Sequence, residues 1–415
     1  MTYTITSHSL ARFLPVILLS AMLSACGQPE SAAPAEQPTV QISYEEQLRL
    51  ALETASPGDV ITVPEGVHPM TRSLVLNTDG VTIRGAGMDK SVLSFAGQLA
   101  GAEGLLVNAS DFTIEDIAIE DSKGDALKVN EGRNIIIRRV RTEWTRGPHT
   151  ENGAYGIYPV QTENVLVEGS VAVGASDAGI YVGQSRNVVV KDSRAEYNVA
   201  GIEIENTIHA DVFNNIATNN TGGILVFNMP DLPQLGHSTR VFNNTIVTNN
   251  TGNFAPPGGA VAGVPAGSGI VINANDKVEI FDNDIADNQT ANILISSYFS
   301  AGYSSDRETA EAFDPYPEGI FIYANRFRDG GNAPDREELE MLRVAMFGEE
   351  GSLPDVVWDG FVNPELSAEN VLCVDNGESL VINVDAAGGY ENVTVDMTAH
   401  ACELEKLTEV VLAAN

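Results

Sequence analysis

Glu203 and Glu205 stand two residues apart in the run GIEIEN that begins at Gly201. On an extended strand both side chains leave the same face, roughly 6.6 Å apart along the backbone. Carboxyl separations of about 6.5–9.5 Å suit inverting glycoside hydrolysis, with one group as acid and one as base. Crowding also raises the pKa of one carboxyl of such a pair. Hard oxygen ligands of this kind equally suit Ca²⁺. Asp177 adds a third carboxylate to the catalytic set. Tyr158 and Tyr181 fall at the position of Glu203 in preceding repeats, and Gln161, Gln184 and Asn206 follow at the strand ends. Apolar stacking with directional amide and carboxylate hydrogen bonds is what a sugar ring requires. Solvated strand residues, with Tyr158 simply stacked on Tyr181, are the plainer reading of the same letters.

The elements that position these residues follow from internal repetition. GIYPVQ at Gly156, GIYVGQ at Gly179, GIEIEN at Gly201 and GILVFN at Gly223 are spaced by 23, 22 and 22 residues, and GIVINA follows 46 later at Gly269. Each period holds three short runs punctuated by Gly and Asn. That pattern predicts one coil of a right-handed parallel β-helix, an all-β fold in which equivalent residues stack about 4.8 Å apart. Leucine is scarce at core positions and Ile and Val dominate, which excludes a leucine-rich repeat.

The predicted inward column is Ile157, Ile180, Ile202, Ile224, Ile270, Ile293 and Ile320. The outward column beside it is Tyr158, Tyr181, Glu203, Leu225, Val271, Leu294 and Phe321, and Tyr323 belongs to the next outward column. Gly183 should leave a dent. Asp192, Asn214, Asn244 and Asn283 form one predicted column at a bend, and Tyr197, Asn219, Asn249 and Asn288 another, with stacked amides bonded to each other. The loop from Thr145 to Gly153, carrying Arg146 and His149, is expected to wall the Tyr/Glu face. Insertions at 229–239 and 253–268 offer a second wall.

The remaining organisation reads as segments. In residues 1–25, Arg12 precedes an apolar run from Phe13 to Leu23, too short to span a bilayer and ending in Leu23-Ser24-Ala25-Cys26. This resembles a bacterial lipobox, so Cys26 is the expected lipidation site, and Gly27 after it points to outer-membrane sorting with the protein facing the periplasm. Residues 26–42 read as a flexible tether. Ser43-Tyr44-Glu45-Glu46 is a capping box opening a helix through about Ala55, expected to cover the open end of the β-helix over 43–327. After Phe327 the period fades. Residues 328–415, with a helix over 335–347, read as a C-terminal cap stapled by Cys373 and Cys402, the even pair left in a disulfide-permissive compartment.

Lys+Arg 23 against Asp+Glu 57 gives a net charge of -34, which excludes nucleic acid as a partner and argues against unaided binding of polyanionic glycans. A lyase or epimerase would need a cation for the uronate, and near this face the sequence offers only Arg146 and His149. His209 and His237, with Met229 nearby, could form a soft copper set, although their irregular spacing suits ordinary surface histidines better.

The run PGDVITVPEG from Pro57 and GVTIRGAG from Gly80 resembles the first coils of pectin-lyase-like proteins. The strings from Asn152 to Asn206 resemble a family of bacterial parallel β-helix repeat lipoproteins, whose function is not established. That resemblance implies the fold and an envelope location. It also implies an exported redox or haem-type partner, since family members occur beside or fused to such a protein. The repeats are more distantly similar to polysaccharide lyases, mannuronan epimerases and periplasmic proteins that mature copper enzymes, but the Asp-Pro-His pattern of the epimerases is absent. Three functions follow: a lipoprotein that binds or processes glycan, an accessory scaffold for a redox or metal protein, and a structural envelope protein. If the protein is an enzyme, the expected class is polysaccharide hydrolase or lyase.

Overall fold

The computed structural model describes residues 42–300, 313–365 and 371–412. The export signal, Cys26 and nearly all of the tether lie outside them. Among the described residues no helix is long and apolar enough to cross a membrane.

Successive coils repeat one pattern. Ala200–Glu205, Ile208–Phe213 and Ile216–Thr218 form one coil, and each pairs in parallel with the equivalent strand of the next, Gly222–Phe227, His237–Phe242 and Thr245–Val247. Two- and three-residue corners separate the strands, and left-handed backbone at Asn206, Asn214 and Asn219 turns them. Asn tolerates that conformation because its short polar side chain bonds locally. The described residues from Ser43 onward make one body, a parallel β-helix.

Ile157, Ile180, Ile202, Ile224, Ile270 and Ile293 stack inward as expected, each fully buried. Ile320 does not join them. It pairs with Val278 and Leu372 in the second strand of its coil, so Phe321 lies over Glu279 and Tyr323 over Phe281. Val356 takes the next place in the Ile column. Both strands carry the same alternating β-branched letters, and only pairing tells them apart.

The asparagine columns need a correction of one residue. Asp192 and Asn214 align with Asn243 and Asp282 at the left-handed corner. The buried ladder is instead Asn215, Asn244, Asn283 and Asn325, in which each side-chain oxygen accepts both the backbone and the side-chain N–H of its predecessor at 2.9–3.1 Å. A second ladder runs Asn198, Asn220, Asn249 and Asn288. Because side chains alternate along the chain, a slip of one exchanges an exposed corner for a buried rung.

At the start, α1 (Tyr44–Glu53) is capped by Ser43 Oγ, which accepts from Glu46 N at 3.2 Å, and Leu48 and Leu52 join the core. Beyond Phe327 parallel winding does not stop. Val356–Trp358, Leu372–Asp375 and Val381–Asn383 extend the existing sheets. α2 (Glu337–Phe347) packs Leu339, Leu342 and Phe347 against Leu353, Val357 and Ile382. The Cys373–Cys402 disulfide is present.

Candidate functional site

The strand register brings Tyr158, Tyr181 and Glu203 side by side, and sets Gly183 beside Glu205. These side chains leave the core face, yet they are not open to solvent. Tyr181 is 4%, Glu203 1% and Glu205 8% exposed. The insertion before Ser268 folds over the sheet, placing Phe254, Val261 and Val264 against Leu225, Phe227 and Val271. It covers the face rather than merely walling it.

Gly183 leaves no dent. The Tyr181 ring lies across it, so a Cβ there would stand 2.3 Å from Cε1. This position lets the Tyr181 hydroxyl donate to Glu205 Oε1 at 2.6 Å. Gln184 Nε2 donates to both, at 3.0 and 3.2 Å. Burial pushes the Glu205 carboxyl up, and the Tyr181 bond opposes that shift.

Asp177 precedes the strand Ala178–Gly183 and meets Glu203 carboxyl to carboxyl. Burial first, then the nearby Glu205, pushes Asp177 up to about 8. Glu203 is raised well above the carboxylate range by burial, then by Asp177 and Glu205. Apart from the Asp177 carboxyl, no group among the described residues reaches its two oxygens within hydrogen-bond distance. Two facing carboxyls bond only when one of them holds a proton, so the raised values and this contact describe one arrangement.

Sequence reasoning missed three members. Tyr155 is half-buried and directs its hydroxyl at Asp177, its ring 4.4 Å from Tyr158 and 4.6 Å from Tyr181. Asp125, raised to about 6 mainly by burial, and Lys128, whose Nζ lies 4.9 Å from the Tyr158 ring centroid, complete the group. Their signal lay in the alignment: Asp125, Tyr155 and Asp177 each fall two or three places before a column residue, Leu127, Ile157 or Ile180.

Other expected members lie apart or are committed elsewhere. Arg146 bonds Asn152 and pairs with Glu151 at 3.4 Å, and His149 is exposed and accepts from Glu151 N, so this loop closes on itself. Asn206 is fully buried and spends its amide on Met229 and Gln234, tying down the 229–236 insertion. Gln161 is exposed at a left-handed corner. His209 contacts Asn187 and the Thr408 carbonyl, while His237 contacts Ser238.

Among the described residues, the acid triple with all ligand oxygens within 4.8 Å of one another is Asp276, Asp314 and Glu318, not Asp177, Glu203 and Glu205. A cavity of about 190 Å³, lined by Val264, Leu294, Ser296, Arg336, Val357 and Tyr390, borders the covering insertion, and none of the candidate residues lines it.

Stacked coils with columns of identical letters define a class, the parallel β-helix proteins. The chain matches the model of the right handed beta helix region over residues 74–232 and again over 149–309, and it belongs to that family. Among solved structures it is similar to the Azotobacter vinelandii mannuronan C-5 epimerase AlgE4 A-module, at 17% identity and TM-score 0.52, over 81% of this chain and 91% of that one. The AlgE6 A-module from the same organism is similar at 16% identity and TM-score 0.50, over 81% and 89%. At such identities these likenesses define the fold. No curated protein matches the chain.

Proposed function

We propose that the protein binds a glycan at the partly covered strand face of Tyr155, Tyr158, Asp177, Tyr181, Glu203 and Glu205, entered from the half-buried side chains of Tyr155, Tyr158 and Asp177. One observation carries this reading: two half-buried tyrosine rings stand near a buried carboxyl group whose one partner among the described residues is the Asp177 carboxyl, with a second carboxyl fixed by Tyr181 and Gln184. Rings supply stacking for a sugar face, and the carboxyls supply directional bonds to hydroxyls. The similar folds of two mannuronan C-5 epimerase modules support a polysaccharide as ligand. Glu203, protonated beside Asp177, has the form of a general acid, so hydrolytic processing is the turnover this site would support.

The test is calorimetric titration of a glycan panel against the parent protein, Tyr158→Ala and Glu203→Gln. Affinity should fall at least tenfold in both variants, the loss expected for one stacking ring or one buried hydrogen bond left unmade. Unchanged affinity in both would remove this site.

Export belongs to the same proposal and rests on the apolar run from Phe13 to Leu23 with Leu23-Ser24-Ala25-Cys26. Metabolic labelling with a fatty acid should mark the parent protein and not Cys26→Ala.

A further inference from the structure

We propose that the glycan carries free amino groups, so that this face takes a cationic amino sugar rather than a uronate; this rests on the glycan reading above. The argument begins with charge. Four carboxyls, Asp125, Asp177, Glu203 and Glu205, surround the three tyrosines, and Lys128 is the cation among them. The chain as a whole carries a net charge of -34. A uronate would bring one more negative charge per sugar into a site that already disfavours its own, and a partly desolvated like-charge contact is not screened as it would be in water.

Hydrogen bonding points the same way. Glu203 is 1% exposed, and apart from the Asp177 carboxyl that it faces, neither of its carboxyl oxygens has a partner among the described residues. Buried acceptors without donors are costly, and a ligand that supplies donors recovers that cost. A protonated amine offers three donors and no acceptor. Glu203 and Asp177, facing one another, would share it and would both hold their charge while doing so.

The rings agree. Lys128 Nζ already stands 4.9 Å from the Tyr158 centroid, so this aromatic surface accommodates an ammonium. An N-acetylated sugar, with an amide in place of the ammonium, offers one donor and no charge. It should bind less well for the same reasons.

The experiment titrates the parent protein, Glu203→Gln and Asp177→Asn, near neutral pH, with three probes: a glucosamine hexamer, its N-acetylated counterpart and a mannuronate hexamer. Asp177→Asn, at a half-buried position, guards against a folding defect in Glu203→Gln, and circular dichroism checks both. The glucosamine hexamer should bind at least tenfold more tightly than the other two, and each variant should lose about tenfold for that probe alone. Equal or tighter binding of the N-acetylated probe or of the mannuronate hexamer, lost in Tyr158→Ala, would overturn the amino-sugar proposal and leave a glycan site standing. Binding of none of the three would overturn both.

Discussion

Tyr181 donates its hydroxyl to Glu205 Oε1 at 2.6 Å across adjacent coils, and the absence of a side chain at Gly183 makes the bond reachable. Tyr181→Phe removes the donor and leaves a buried carboxyl with Gln184 alone. The expected cost is about 1–3 kcal/mol of stability. Gly183→Ala should act on the same bond by another route, since its Cβ would meet the ring at 2.3 Å. Denaturant unfolding of both variants checks this: the two losses should be similar, and the double variant should not add them, because one interaction is lost in either case.

Asp177 and Glu203 carry a pH signature with a definite sign. An unfolded aspartate titrates near 3.8, and Asp177 in the fold is raised to about 8. Between those values the folded state holds more protons than the unfolded one, so stability falls as pH rises. The contribution of this group is complete below about 4 and is lost as pH passes through about 8. Asp177→Asn should flatten the decline over that window, and Glu203→Gln should do likewise. Melting temperature measured across the window, parent against variants, checks the prediction. A parallel decline in parent and variants would place the titration elsewhere.

How much of this was legible beforehand depended on the kind of interaction. The recurrence of Gly-Ile fixed the coil, because a stacked column demands the same letter at each level, and Tyr158, Tyr181 and Glu203 emerged as neighbours for that reason. Exposure was not legible. Facing away from the core of a β-helix ordinarily means facing water, but the insertion carrying Phe254, Val261 and Val264 lies over this sheet, and its placement depends on tertiary packing rather than period. Ile320 and the asparagine columns went astray where insertions lengthened a coil. Counting from one repeat to the next then loses register by one residue or by one strand, and only hydrogen-bonded pairing restores it.

The corrected asparagine register has its own test. Asn244 accepts from Asn215 N and Nδ2 at 2.9 and 3.1 Å and donates to Val212 O and Asn283 Oδ1 at 2.9 and 3.0 Å. Asn244→Ala strands several buried polar groups, with an expected loss of about 2–5 kcal/mol. Asn214, one position before the equivalent rung, is exposed and left-handed, with φ of 57°. Asn214→Ala should cost about 1–2 kcal/mol through backbone strain alone, and Asn214→Gly almost nothing. Equal losses at Asn244 and Asn214 would mean that the rung and the corner had been confused.

The disulfide starts a segment that runs back across several coils. Beyond Cys402, Lys406 Nζ lies 4.5 Å from the Tyr323 ring centroid, Leu407 N donates to Glu279 at 3.0 Å, and Val410 N donates to Asp211 at 3.1 Å. Glu279 and Asp211 are 3% and 2% exposed beneath it, with Arg240 paired to Asp211 at 2.9 Å between them. Such a segment has little regular structure of its own, so its order must come from these grips and from the bridge. Closing a loop between residues 29 apart is worth about 3–4 kcal/mol in unfolded-state entropy. Replacing Cys373 and Cys402 together by alanine should therefore lower stability by about that amount. It should also free the segment before the β-helix itself unfolds, since local opening needs less energy than global unfolding. Trypsin cleavage after Lys406, followed by mass spectrometry under native conditions, reads this directly. Rapid release of the C-terminal peptide from the variant alone is the expected result. Equal protection in both proteins would show that Glu279 and Asp211 hold the segment without the bridge.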